Sequence, residues 1–154
     1  MSMTPAQRAV LEALQAERDA MYFYLRAARY AKNGRARRIF EKLATEERQH
    51  VEYFFEVYHG AEIPDLGQFL DSVQATPWLD DLEELISTNG DDLLALELAL
   101  RKEQNLEIHL RRTAETIADP QVRRVYEVNA DSTHQHYQAI AAELERLRAE
   151  APER

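Results

Sequence analysis

No cysteine occurs in the 154 residues of the chain. That excludes disulfides, thiolate zinc sites, thiolate iron–sulfur clusters and a cysteine nucleophile. Glycine and proline are scarce, at four and five residues, while Ala, Leu, Glu and Arg abound, a composition that favours helix over sheet. Positive charge is in deficit: the formal net charge is −9, which argues against nucleic acid or acidic lipid as a partner. Long hydrophobic runs are missing too, and none approaches the roughly 18–20 apolar residues that span a bilayer. Met1 to Val10 lacks a basic segment followed by an apolar stretch. The expectation is a cytoplasmic protein of one domain spanning residues 1–154, with 45% apolar residues to build a core.

What is present is helical periodicity. Four amphipathic segments with a 3.6-residue repeat predict helices over about 4–32, 35–59, 91–118 and 120–148. Thr4-Pro5 and Asp119-Pro120 read as N-caps followed by proline at the first helical position, and Asn33-Gly34 as a stop. The first two helices, and the last two, are separated by only two or three residues, so each pair forms an antiparallel hairpin. The second and third are joined by a crossover over 60–90, with a short helical stretch near Leu79 to Ile86 that packs over one side. The last residues, Ala149 to Arg154, are expected to fray. Two hairpins and one long crossover make an all-α, four-helix bundle with the connectivity of ferritin-like folds. The halves also look repeated: Glu17 and Glu103 lie 86 positions apart, as do Phe40 and Tyr126, and His50 and His136.

Spacings of three and four trace the core-facing seam of each helix. The first reads Val10, Leu14, Glu17, Met21, Tyr24, Ala28; the second Phe40, Leu43, Glu47, His50, Phe54, Val57. The third reads Leu96, Leu100, Glu103, Glu107, Leu110, Ala114, Ile117, and the fourth Val122, Tyr126, Asn129, Thr133, His136, Ile140. Every seam is apolar at both ends and polar at its midpoint. Burying an unpaired carboxylate costs several kcal/mol or more, against about 5–15 kcal/mol of total stability in a typical domain. Midpoints of similar-length helices share one layer whichever way the helices run. Carboxylates and imidazoles converging there point to a bound cation.

A lone seam glutamate usually reaches water, and a lone histidine is more often a hydrogen-bonded core residue than a ligand. Glu56 and His59 repeat the Glu-x-x-His spacing but fall half a turn away from Glu47 and His50, on the opposite face. Asp131, His134 and His109 lie off the seams. The metal reading therefore rests on coincidence at one depth across four stripes.

The run Glu17 to Tyr24, the run Phe40 to His50, and a looser second half (Glu103, Asp119-Pro120, Tyr126, Ala130, His136-Tyr137) resemble a rubrerythrin-like protein of the ferritin-like di-iron carboxylate superfamily. The similarity covers about residues 6–147 outside the crossover. It implies two irons, with manganese as the alternative, held by Glu17, Glu47, His50, Glu103 and His136. Tyr24 would hydrogen-bond a ligating carboxylate across the bundle, and Thr133 would orient ligands. Thr133 stands where the family carries a glutamate, and Glu107, one turn beyond Glu103, is the candidate to replace it. Were Glu107 to swing to solvent, the second metal would be weakly held or absent. Rubrerythrins proper also carry a cysteine-bound iron that this chain cannot form.

The resemblance implies an oxidoreductase acting on ferrous iron, oxygen or peroxide, with electrons from an external donor or from ferrous iron itself. The alternatives are a di-iron hydroxylase or manganese-catalase relative, and a metal-binding or structural bundle without turnover. A homodimer would pair through outer aromatic residues such as Tyr22, Tyr53 and Phe55.

Overall fold

The computed structural model describes residues 3–72 and 76–150. All regular structure among them is helical. The helices are α1 (Pro5–Tyr30), α2 (Gly34–Glu56), α3 (Leu66–Asp71), α4 (Pro77–Ser87), α5 (Asp92–Thr116) and α6 (Pro120–Glu150). α1 packs along α2 and α5 along α6, and the two hairpins meet mainly between α2 and α6. This is the ferritin-like four-helix bundle, with α3 and α4 in the crossover.

Local chemistry starts each helix. Thr4 Oγ1 accepts from Gln7 N at 3.1 Å, with Pro5 at the first helical position. Asp119 Oδ1 accepts from Gln121 N at 2.8 Å. Asn33 was expected to stop the first helix, but it starts the second: its side chain accepts from the backbone of Arg35 and Ala36. α1 ends earlier, at Tyr30, because the Lys32 and Asn33 amides turn to the Asp92 carboxylate at the start of α5. That contact ties the first hairpin turn to the second hairpin. Asn89 takes φ 57° in the tight turn before α5, a left-handed conformation that asparagine tolerates. α2 stops at Glu56, short of His59, and α6 continues through Ala149 and Glu150. The rest of the expected frayed tail, 151–154, lies outside the described residues.

The expected short helix of the crossover is α4; α3 was not anticipated. Both pack against α1. Trp78 stands edge-on to Phe23, ring centroids 5.4 Å apart, and Arg18 is buried with its guanidinium 4.1 Å from the Phe69 ring centre while donating to Phe69 O at 3.2 Å. Tyr22 is drawn the same way, donating to Leu70 O, and Phe55 packs on the core. Of the three aromatics expected on an outer pairing face, Tyr53 alone is exposed.

Two apolar clusters fill the bundle, one toward each end. The first includes Val10, Leu14, Met21, Val51, Phe54, Leu110 and Tyr126. The second includes Tyr24, Ala28, Phe40, Leu43, Leu96, Ile140 and Leu144. Every seam position listed from the sequence is buried except Leu100 and Glu107. Phe54 stacks edge-on against Tyr126 at 4.8 Å, and truncating such a side chain leaves a cavity. Phe54→Ala should lower the unfolding free energy by about 3–5 kcal/mol, whereas Val128→Ala on the surface should change it by less than about 0.5 kcal/mol. Urea titration of both variants measures the difference.

Candidate metal centre

Between the two apolar clusters lies a polar layer from four helices. α1 contributes Glu17, α2 Glu47 and His50, α5 Glu103, and α6 Asn129, Thr133 and His136; all are buried. Two groups have ligand atoms within 4.8 Å of one another: Glu17, Glu47 and His50, and Glu47, Glu103 and His136. Glu47 belongs to both. The His50 and His136 rings face each other nearly parallel, 5.2 Å apart with an 8° interplanar angle.

Each imidazole turns Nδ1 inward. His50 Nδ1 lies 3.1 Å from Glu17 Oε2 and 3.3 Å from Glu47 Oε2. His136 Nδ1 lies 3.0 Å from Glu47 Oε1 and 3.6 Å from Glu103 Oε1. The outward nitrogens differ in company. His50 Nε2 is 2.8 Å from the Ser132 hydroxyl, and His136 Nε2 is 3.1 Å from the Glu46 carboxylate, an ion pair without good hydrogen-bond alignment. Tyr24 donates to Glu103 Oε1 at 2.6 Å across the bundle, the contact that the rubrerythrin resemblance implied. Thr133 donates back along its own helix to Asn129 O at 2.8 Å.

Glu107 is not brought to either group. α5 is rotated so that Leu106, three residues after Glu103, is buried, while Glu107 reaches the rim. There its carboxylate accepts from Arg111 Nε at 2.8 Å and lies 2.9 Å from His134 Nδ1. Asp131 joins the same surface network through Arg111. His59, Glu56 and His109 are exposed. Seam reasoning missed Glu46 and Ser132, since each sits one position off its stripe. The Glu46-Glu47 doublet is the one signal that could have suggested the first.

Electrostatics in this layer follow from desolvation and mutual repulsion. Burial, then the neighbouring Glu47 charge, push the Glu17 carboxyl far above its usual range. Burial and Glu47 likewise raise Glu103 to about 7, against the pull of His136 and Tyr24. Burial works against ionisation of Glu47 as well, but His50 and hydrogen bonds from Glu17 and His136 outweigh it and hold Glu47 well below normal. The imidazoles resist burial because carboxylates face them: Glu17 and Glu47 hold His50 high, and Glu103 and Glu47 raise His136 to about 10. Burial and Glu103 keep Tyr24 protonated, hence a donor.

The donor set fits a pair of cations. Glu17 Oε1, Glu47 Oε2 and Glu103 Oε2 are buried without a hydrogen-bond partner, as is the whole Asn129 amide. Such orphaned acceptors are costly. Carboxylate oxygens and imidazole nitrogens are ligands for iron, manganese or zinc.

A four-helix bundle with two buried Glu/Glu/His groups sharing one carboxylate defines a ferritin-like protein with a site consistent with non-haem di-iron oxidoreductase or peroxidase chemistry. The family model described as Rubrerythrin matches residues 9–144, and the chain belongs to the rubrerythrin family. No curated protein matches the chain in sequence. The crystal structure of a hypothetical protein from Methanococcus jannaschii DSM 2661 is similar with a TM-score of 0.77 at 18% identity, over 96% of this chain and 84% of that one. At that identity the likeness carries the fold alone.

The protonation pattern sets opposite pH trends for the metal-free and the metal-bound protein. His136 moves from 6.5 to about 10 on folding, so its stabilisation is complete below 6.5 and is lost as pH rises through 10. Glu103 moves from 4.5 to about 7, so its contribution is likewise lost as pH rises through 7. Metal must displace these protons, so its affinity rises over the same window. Between about pH 6 and 9, the melting temperature of metal-free protein should fall while the increment on adding Mn(II) grows. A metal-free melting temperature that climbs across that range would contradict this protonation pattern.

Proposed function

We propose that the chain is a non-haem di-iron oxidoreductase that reduces peroxide. Its electrons come from ferrous iron or from an external donor protein, since the chain has no cysteine for a thiolate-bound iron of its own. The observation that carries this reading is the pair of buried Glu/Glu/His groups joined at Glu47.

In this reading Glu17, Glu47 and His50 would hold one iron, and Glu47, Glu103 and His136 the other. Bound there, the pair would supply the two electrons that peroxide reduction requires. The residues do the rest. Glu47 presents one oxygen toward each imidazole, the arrangement of a carboxylate placed between two cations. Tyr24 pins one oxygen of Glu103 and leaves the other, unpartnered, free to bind. His50 and His136 direct Nδ1 inward; the Ser132 hydroxyl on the outer nitrogen of His50 fixes that ring's orientation, and the Glu46 carboxylate lies 3.1 Å from the outer nitrogen of His136. Leu14, Met21 and Phe54 on one side, and Tyr24, Phe40 and Leu43 on the other, line the layer with apolar surface and exclude water. Glu17, Glu103 and the imidazoles surrender protons when metal enters. Iron suits the oxygen and nitrogen donors; manganese is the alternative occupant.

Metal-free protein titrated anaerobically with Fe(II) should take up two ions per chain. Adding hydrogen peroxide should oxidise two Fe(II) per peroxide, read as ferric absorbance, without evolving oxygen. Glu47→Ala, which removes the shared carboxylate, should abolish this stoichiometric oxidation and weaken both ions. Sustained oxygen evolution would mean a catalase instead, and a chain that binds no iron would end the reading.

A further inference from the structure

The centre is short of one negative charge. Two divalent cations outweigh Glu17, Glu47 and Glu103 by one, because Thr133 occupies the α6 position where a fourth carboxylate would stand and its hydroxyl is turned to Asn129 O. A net charge in a buried layer flanked by apolar clusters is costly. Glu107 was the obvious candidate to correct it, yet its carboxylate is answered at the surface by Arg111 and His134.

Glu46 is placed differently. It precedes Glu47 on α2, is partly exposed, and its only ion pair among the described residues is with His136 Nε2 at 3.1 Å. The imidazole stands between Glu46 on one side and Glu47 with Glu103 on the other. Glu46 lies beside that outer nitrogen without hydrogen-bond alignment, so it acts through its charge: a negative charge there favours the tautomer whose Nδ1 lone pair faces the cation and makes the ring a stronger donor. The other imidazole has only the neutral Ser132 hydroxyl on its outer nitrogen. The two halves of the centre are therefore unequal.

We propose that Glu46 supplies the fourth negative charge of the centre, transmitted through His136, in place of the glutamate that Thr133 displaces. Glu46 is a positioning residue: it reaches the metal through the imidazole and does not touch it. The proposal rests on the two-metal reading above. It predicts that the ion in the Glu47, Glu103 and His136 half depends on Glu46, and that the ion in the Glu17, Glu47 and His50 half does not.

The experiment is an anaerobic titration of metal-free protein with Co(II), followed by calorimetry and by the visible Co(II) spectrum. Wild type is compared with Glu46→Gln, Glu46→Ala and Glu107→Gln. Glu46→Gln keeps a hydrogen-bonding group of the same shape and loses only the charge. Both Glu46 variants should weaken one of the two ions about 10- to 100-fold and alter that ion's spectrum, leaving the other ion and the metal-free melting curve close to wild type. Glu107→Gln should change neither ion. Wild-type affinity in Glu46→Gln would overturn the proposal, since the charge of Glu46 would then contribute nothing to the centre. Selective loss of one ion in Glu107→Gln would overturn it in favour of Glu107. If wild type itself takes up fewer than two ions, the two-metal reading fails, and that result is visible without any variant.

Discussion

Three carboxylates buried between apolar clusters at the middle of a helical bundle repel one another and lose much of their hydration. That cost has to be met by positive charge. Most other features of the structure follow from this constraint. The acids sit near the helix midpoints, where side chains of all four long helices share one layer. The imidazoles come from the facing helices α2 and α6, so that each reaches two carboxylates. Protons answer the charge in the pattern of raised Glu17, raised imidazoles and ionised Glu47; cations answer it better, because they also satisfy the orphaned oxygens.

The rest of the fold keeps this layer assembled. Apolar clusters on both sides hold the helices in register, and the long aromatic side chains lie next to the polar layer, where Tyr24 can serve packing and hydrogen bonding at once. Asp92 clamps the turn between α1 and α2 to the start of α5, so both hairpins are tied at one end. The crossover adds Trp78 and Phe69 over the outer face of α1, behind the helix that carries Glu17. Glu47 belongs to both halves of the centre, while the unlike partners of the two imidazoles make the halves chemically distinct.

The seams of α1, α2 and α6 could be read directly from the sequence, because an apolar stripe interrupted by Glu, His or Thr is a statement about burial that needs no coordinates. Glu17, Glu47, His50, Glu103 and His136 come together as their depth implied. Glu107 shows where this reading stops. From Glu103, steps of three and of four residues both stay near the interior stripe, and nothing in the local pattern says whether Leu106 or Glu107 turns inward. Asn33 was ambiguous in a similar way, since the same Asn-Gly pair can end one helix or cap the next. Tyr22 and Phe55 looked like outer-face residues until the crossover and the core claimed them.

The four long helices, their hairpin connectivity and the identity of five of the polar core residues were thus determined by the sequence alone, because periodicity and desolvation act on every chain in the same way. Which flank of α5 faces inward, which outer residue meets each imidazole and which carboxylate keeps its charge were decided only in three dimensions. Those outcomes depend on the rotation of one helix against another by a fraction of a turn. Such a rotation is set by the summed packing of Leu106, Leu110 and their neighbours, and it leaves no mark on the spacing of residues along any single helix.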